Sequence, residues 1–347
     1  MKLRWTSREL HPRHVFRISR ARRREVRNVF VHIEHAGVTG YGEASPNAFY
    51  DETWERVGEK LEAARDWLET LELSTSADIE RAWQEAWHWL APSRAAQCAV
   101  DVALWDWLAR REEKTVAELV WGKAPVAVET FCTIGLSTPE ELEEKLDELE
   151  GFPRIKIKSD AAASMETVRR VRARSEALIA VDANCAWSDH DLPVLAKGFA
   201  RFGVDFIEQP LPVEEDDALP AECALPIFAD ESCVTEADVE RVAERFDGFN
   251  IKLVKCGGIT PARRMVRRGR ALGRKLMVGC MLESSVLIAA GAAIAQGTDY
   301  ADLDGAWLLA DDPFTGWIFE RGVLRPPSAT GLGVAPRFYL RDHAPGG

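Results

Sequence analysis

The sequence predicts a (β/α)8-type parallel barrel capped by an N-terminal α+β domain, and three observations carry that expectation. Lys156 with Lys158, Asp182, Glu208, Asp230, Lys252, and Asp302 with Asp304 each close a short, mostly apolar run. The gaps from Lys158 to Asp182, Glu208, Asp230 and Lys252 are 24, 26, 22 and 22 residues, the length of one strand, one helix and two loops. From Val128 onward, strand-like and helix-like patterns alternate for eight units, whereas residues 1–125 read as strands followed by helices. One functional residue per unit places the chemistry at the carboxyl ends of barrel strands, where such barrels keep their active sites.

In chain order, residues 29–33 and 41–44, separated by Gly37 and Gly40, predict a hairpin. Helical patterns follow over residues 53–70, 76–90 and 93–111, the second opening on Ser76 and Asp78 as capping candidates. Trp83, Trp87 and Trp89, with Trp105 and Trp107, lie at helical spacing and are expected in the domain core rather than in a ligand cage. Barrel strands are expected to end near Cys132, Lys158, Asp182, Glu208, Asp230, Lys252, Gly279 and Asp304, with helices over 139–149, 165–175 and 236–246 among those between them. The tail after Trp317 has no ninth unit to serve and is expected to fold back onto the first domain. The domain expectation is therefore 1–125, 126–317 and 318–347.

With 347 residues, 46% hydrophobic and 29% charged, the chain has an ordinary globular composition. Fifty-six acidic against 44 basic residues give a net charge of −12, which disfavours nucleic acid and anionic membranes as partners. The N-terminus lacks the apolar core of a signal peptide, and the longest apolar stretch, residues 286–295, is half a membrane span, so the expected location is cytoplasmic. Seven scattered cysteines with no C-x-x-C pair fit reduced thiols.

Asp182, Glu208 and Asp230 end consecutive units, so their carboxylates converge at the barrel mouth, and three hard oxygen donors suit Mg²⁺. Lys156, Lys158 and Lys252 occupy the units on either side. A lysine beside Mg²⁺ and another ammonium has its charged form disfavoured and can act as a base. Strands 2 and 6 of a closed barrel face one another, so Lys158 and Lys252 can remove a proton from one face of a carbon and return it to the other. Racemisation or epimerisation requires that arrangement. Lys156 is expected only to neutralise the acidic site.

These motifs resemble the enolase superfamily and, within it, the muconate-lactonising-enzyme subgroup. The resemblance rests on Lys156-Ile157-Lys158, Asp182-Ala183-Asn184, Glu208-Gln209-Pro210, Asp230-Glu231-Ser232 and Asn250-Ile251-Lys252, followed by Cys256-Gly257-Gly258-Ile259. It implies a Lys or His base working with Mg²⁺. Within the subgroup, Asp302-Leu303-Asp304 resembles the dipeptide epimerase signature that holds a substrate α-ammonium, and the 279–284 run, which includes Cys280, is similar to theirs. The resemblance thus implies a dipeptide epimerase, L-Ala-D/L-Glu by default, that inverts the C-terminal residue through a metal-stabilised enediolate. Lys158 and Lys252 are the implied bases, Lys156, Thr133 and Cys280 are implied substrate contacts, and Arg20 in a capping loop is an implied reader of an acidic side chain. No histidine stands near strands 6 or 7, which favours lysine at both positions. Specificity is expected in the loops 14–24 and 45–52. The rivals are an o-succinylbenzoate synthase or N-acylamino-acid racemase on the same scaffold, and a barrel that only binds a ligand. A homo-oligomer remains open.

Overall fold

A three-stranded antiparallel sheet opens the chain in the computed structural model, which describes residues 1–337 apart from 15, 19, 20, 161–163 and 189, and only the backbone at 16–18 and 21–23. Strand Lys2–Leu10 pairs with Val26–His35, which pairs in turn with Val38–Ala44. The hairpin is the expected one, longer at both ends. Lys2–Leu10 went unanticipated because charged and polar residues interrupt its apolar alternation. The long helix expected over 53–70 is split into Trp54–Ala63 and Arg65–Thr70, at the point where Arg65 Nη1 donates to the Leu3 carbonyl at 2.8 Å.

Helix Ser76–Leu90 packs beside helix Arg94–Arg111, which is buried from Ala95 to Ala109 because it lies between the sheet and the barrel. The sheet approaches it so closely that a Cβ on Gly42 would fall 1.9 Å from the Ala99 carbonyl oxygen, so only glycine fits there. On the barrel side, Trp105 Nε1 donates to Thr260 Oγ1 at 2.8 Å, and Asp101 accepts from both the Thr260 hydroxyl and its backbone N–H. Of the tryptophans expected in the core, Trp105 and Trp107 are fully buried, whereas Trp83, Trp87 and Trp89 are half-buried, Trp89 stacked on Trp67 at 5.1 Å.

Eight parallel strands follow: Cys132–Ile134, Arg154–Lys158, Leu178–Asp182, Val204–Glu208, Ile227–Ala229, Gly248–Lys252, Lys275–Gly279 and Tyr300–Asp302. Each pairs with the next, and the seam between the first and the eighth is closed by Phe131 N–H donating to the Ala301 carbonyl at 2.8 Å and Leu303 N–H to Thr130 Oγ1 at 2.6 Å. The eighth strand ends at Asp302, two residues short of expectation, because Asp304 already caps the short helix Gly305–Leu308. Between the fourth and fifth strands stands a 3₁₀ segment, Val213–Ala218, in a stretch broken by Pro210, Pro212 and Pro220.

Alternation sends Ile155, Ile157, Ile179 and Val181 towards the surrounding helices and alternate residues into the barrel. Deep inside, Phe131, Ala180, Phe206, Phe228 and Met277 form a separate buried cluster, with Phe206 and Phe228 stacked at 4.3 Å. Each such ring stabilises the fold by roughly 1.5–3 kcal/mol through burial. This plug closes the barrel below the charged layer. The tail divides. Hairpin Ile318–Glu320 and Val323–Arg325 pairs with Val128–Glu129 at the barrel entrance, whereas Leu332 and Val334 bond to Asp106 and Arg110 of the N-terminal domain. All seven cysteines are free thiols, and no helix among the described residues is long and apolar enough to cross a membrane.

Candidate active site

Above the aromatic plug, inward-pointing residues at the strand ends turn from apolar to charged. Lys156 Nζ touches Asp302 Oδ2 and lies 3.1 Å from Glu208 Oε2 and 3.5 Å from Asp182 Oδ2. Lys158 Nζ is 2.5 Å from the same Asp182 oxygen, and Lys252 Nζ is 2.7 Å from Asp230 Oδ2. These seven side chains, assigned from sequence, comprise the Lys252–Asp230 pair and one ion network of Lys156, Lys158, Asp182, Glu208 and Asp302. Asp304 stands beside it and accepts the Thr133 backbone N–H at 2.8 Å, which adds a further tie across the barrel seam. Thr133 and Cys280 line the same cavity, about 470 Å³ in volume, between the strand ends and the 45–50 segment of the N-terminal domain. Arg20 lies outside the described residues.

Burial opposes every charge here, and the neighbours decide the outcome. Asp230 is held below the ordinary carboxylate range because Lys252 and Lys255 outweigh its desolvation. Asp182 is lowered likewise by Lys158 and Lys156. Glu208 goes the other way, pushed up to about 7 by burial and the Asp182 charge. Asp304 is raised to about 6 by burial and by Asp302. Lys156 and Lys252 are both held well above the usual lysine range: burial works against them, but Asp302, Glu208 and Asp182 surround the first and Asp230 faces the second. Among the protein's own groups, then, the carboxylates hold Lys156 and Lys252 charged.

Sequence reasoning also missed the residues that hold the acids. Lys255 is fully buried, with Nζ 2.7 Å from Asp230 Oδ1 and 2.9 Å from the Cys233 carbonyl. Asn250 Nδ2 donates to Glu208 Oε1 at 2.7 Å, and a Cβ on Gly279 would come within 2.6 Å of that amide. Gln209 Oε1 accepts from the backbone N–H groups of Asp230 and Ser232 at 2.9 and 3.1 Å. The available signal was in the motifs themselves, where Asn250, Gln209 and Ser232 stand beside the assigned residues. The cavity wall is tied down as well: Glu43 accepts from the Ser284 hydroxyl and N–H, and Asn28 Nδ2 and Ser45 Oγ both donate to the Leu282 carbonyl.

The donor set fits a hard divalent cation. Three buried carboxylates, Asp182, Glu208 and Asp230, stand at consecutive strand ends, with Asp182 in register with Glu208, and no histidine or thiolate stands among them.

Comparison with known proteins agrees with this architecture. Residues 140–339 match the family described as enolase C-terminal domain-like, and residues 4–121 match the mandelate racemase / muconate lactonizing enzyme N-terminal domain. An L-Ala-D/L-amino acid epimerase from Flavobacterium johnsoniae is 35% identical, over 96% of this chain and 99% of its own. An L-Ala-D/L-Glu epimerase from Bacteroides thetaiotaomicron is 34% identical, over 96% and 88%. A dipeptide epimerase from Methylococcus capsulatus, solved with Mg and the dipeptide L-Arg-D-Lys, superposes with a TM-score of 0.89 at 33% identity, covering 96% of this chain and 99% of that one. With both halves matched and barrel and capping sheet in the same arrangement, the chain belongs to the mandelate racemase / muconate lactonizing enzyme family of the enolase superfamily.

Proposed function

We propose that this protein is a Mg²⁺-dependent dipeptide epimerase that inverts the α-carbon of the C-terminal residue by proton transfer between Lys158 and Lys252. The observation that carries the reading is the placement of the two lysines on the second and sixth strands, each against a different acid of the cation-binding set. Asp182, Glu208 and Asp230 would hold the ion. Bound there, Mg²⁺ supplies charge stabilisation to the substrate carboxylate as the adjacent Cα–H acidifies. Lys158 takes the proton on one face and Lys252 returns one on the other. A cation held by Asp182, Glu208 and Asp230 would offset the negative charge that these lysines face. Lys156, clasped by Asp302 and Glu208, is a fixed cation rather than a base.

A substrate ammonium has a place beside Asp302 and Asp304. Asp302 Oδ1 is buried with no hydrogen-bond partner among the described residues, and Asp304 is raised by the charge next to it, so an incoming cation satisfies both. An o-succinylbenzoate or N-acylamino acid brings no cation to that position. The relatives named as dipeptide epimerases support the same class, and L-Ala-L-Glu is the first substrate to assay.

The test is proton exchange in D₂O. Lys158→Ala and Lys252→Ala should each abolish epimerisation of both diastereomers, while each variant still exchanges the α-proton of one diastereomer only. Full epimerisation by either variant would rule out a two-base mechanism.

A further inference from the structure

With the substrate carboxylate directed to the three acids and its ammonium to Asp302 and Asp304, the substrate side chains are left with the opposite wall of the cavity. The described part of that wall is mostly apolar, and its polar members Ser45 and Asn47 have hydrogen-bond partners within the wall. Val26, Phe49 and Tyr50 come from the N-terminal domain, Met281 and Leu282 from the segment after the seventh strand, and Leu308 from the helix Gly305–Leu308. Phe49 is 48% exposed, and the other large apolar side chains that open to solvent among the described residues, Val126, Val194 and Ile318, do not line the cavity. An aromatic ring left half in water at a cavity mouth is covered favourably by an apolar ligand group. It meets Tyr50 edge to face at 4.9 Å, so the two rings make one surface. That surface lines the same cavity as Lys158 and Lys252.

Charge points the same way. Among the described lining residues the cations are Lys156, Lys158 and Lys252, and each is already in contact with a carboxylate of the floor. Asp230 and Glu231 belong to the fifth strand end, and Asp302 and Asp304 to the eighth, so the lining acids also stand at the floor rather than on the apolar wall. An acidic or basic side chain pressed on the wall would lose its water without gaining a charged partner among the described residues.

We propose that the site selects dipeptides whose inverted residue carries an aliphatic or aromatic side chain, and that Phe49 is the residue that selects it. This rests on the dipeptide epimerase reading and refines it. The geometry assigns the side chain to the Phe49–Tyr50 surface and away from the charged floor.

The experiment compares kcat/KM of the Mg²⁺-loaded full chain for L-Ala-L-Leu, L-Ala-L-Phe, L-Ala-L-Ala, L-Ala-L-Glu and L-Ala-L-Lys. The Leu and Phe dipeptides should exceed the Glu and Lys dipeptides by roughly 10- to 200-fold, the range that a hydrophobic pocket achieves. Phe49→Ala should lower turnover of the Leu and Phe dipeptides more than that of L-Ala-L-Ala, mainly through KM. Phe49→Arg should shift the Glu-to-Leu ratio towards Glu. An equal or higher kcat/KM for L-Ala-L-Glu or L-Ala-L-Lys overturns the proposal, and loss of a Glu preference in Arg20→Ala would assign the reading of the side chain to the 15–23 segment instead. Failure to turn over any dipeptide would remove the epimerase reading and this inference together. Turnover of L-Ala-L-Glu alone would remove only the inference.

Discussion

Asp302 and Asp304 differ by two positions and by everything around them. Asp302 points into the barrel, where Lys156 takes one oxygen and leaves the other without a partner among the described residues. Asp304 lies past the strand end and spends one oxygen on the Thr133 backbone N–H. Replacing either by asparagine removes a charge-assisted contact to a substrate ammonium, worth about 1.5–3 kcal/mol, while leaving the three acids intact. Asp302→Asn and Asp304→Asn should therefore raise KM on the order of 10- to 100-fold for free-amine dipeptides, with a much smaller effect on N-acetylated ones. Steady-state kinetics with both substrate types decides the matter, and equal losses would favour an acylamino-acid racemase.

At the level of elements, the acids at one strand end are held by residues from another. Asn250 on the sixth strand holds Glu208 of the fourth, and Gln209 after the fourth holds the backbone of Asp230 after the fifth. Gln209 has φ of 36°, a left-handed conformation for a residue with a side chain, and its bonds to Asp230, Ser232 and Leu211 over-determine that strain. Such a rigid donor set predicts that cation binding depends on the acids one by one, not on the fold. Asp230→Asn should lose most Mg²⁺ affinity by calorimetry, and exhaustive chelation of the wild type should abolish activity, with far-ultraviolet circular dichroism unchanged in both. Activity that survives the chelator would contradict the cation assignment, as would a requirement for zinc, which these ligands do not favour.

Across the whole molecule, two buried carboxylates bond the N-terminal domain to the barrel, Asp101 at Thr260 and Glu43 at Ser284, and Glu283 is buried near Glu43. Asp101 is pushed up to about 7, Glu43 to about 7 and Glu283 to about 8, in each case chiefly by burial. A carboxyl whose folded pKa lies above its unfolded one stabilises fully at pH below the unfolded value, and that stability is lost as pH rises through the folded value. At roughly 1.4 kcal/mol per pH unit, Asp101 corresponds to a few kcal/mol between about pH 4 and 7. The urea midpoint should fall as pH is raised from about 5 to 8, and Asp101→Asn, which removes one titration at the Thr260 contact, should flatten that slope. An unchanged slope in the variant would show that Asp101 does not drive it.

Periodicity was enough to mark the barrel, because strands buried at their centres must be apolar and those ending at the mouth can carry charge. For the same reason Asp182, Glu208, Asp230 and the lysines at 156, 158 and 252 were legible by spacing alone. Lys2–Leu10 was not, since a strand half-covered by helices keeps polar residues that blur its alternation. Nor could spacing reveal Lys255, whose four oxygen partners are the carbonyl and carboxylate of Asp230 and the carbonyls of Cys233 and Asn250. The charge state of Lys252 and the apolar wall at Phe49 likewise depend on groups distant in sequence. Local pattern by itself determined which residues end which strands; only tertiary structure decided their partners, because burial and charge pairing are set by neighbours that the fold, not the chain order, brings within a few ångströms.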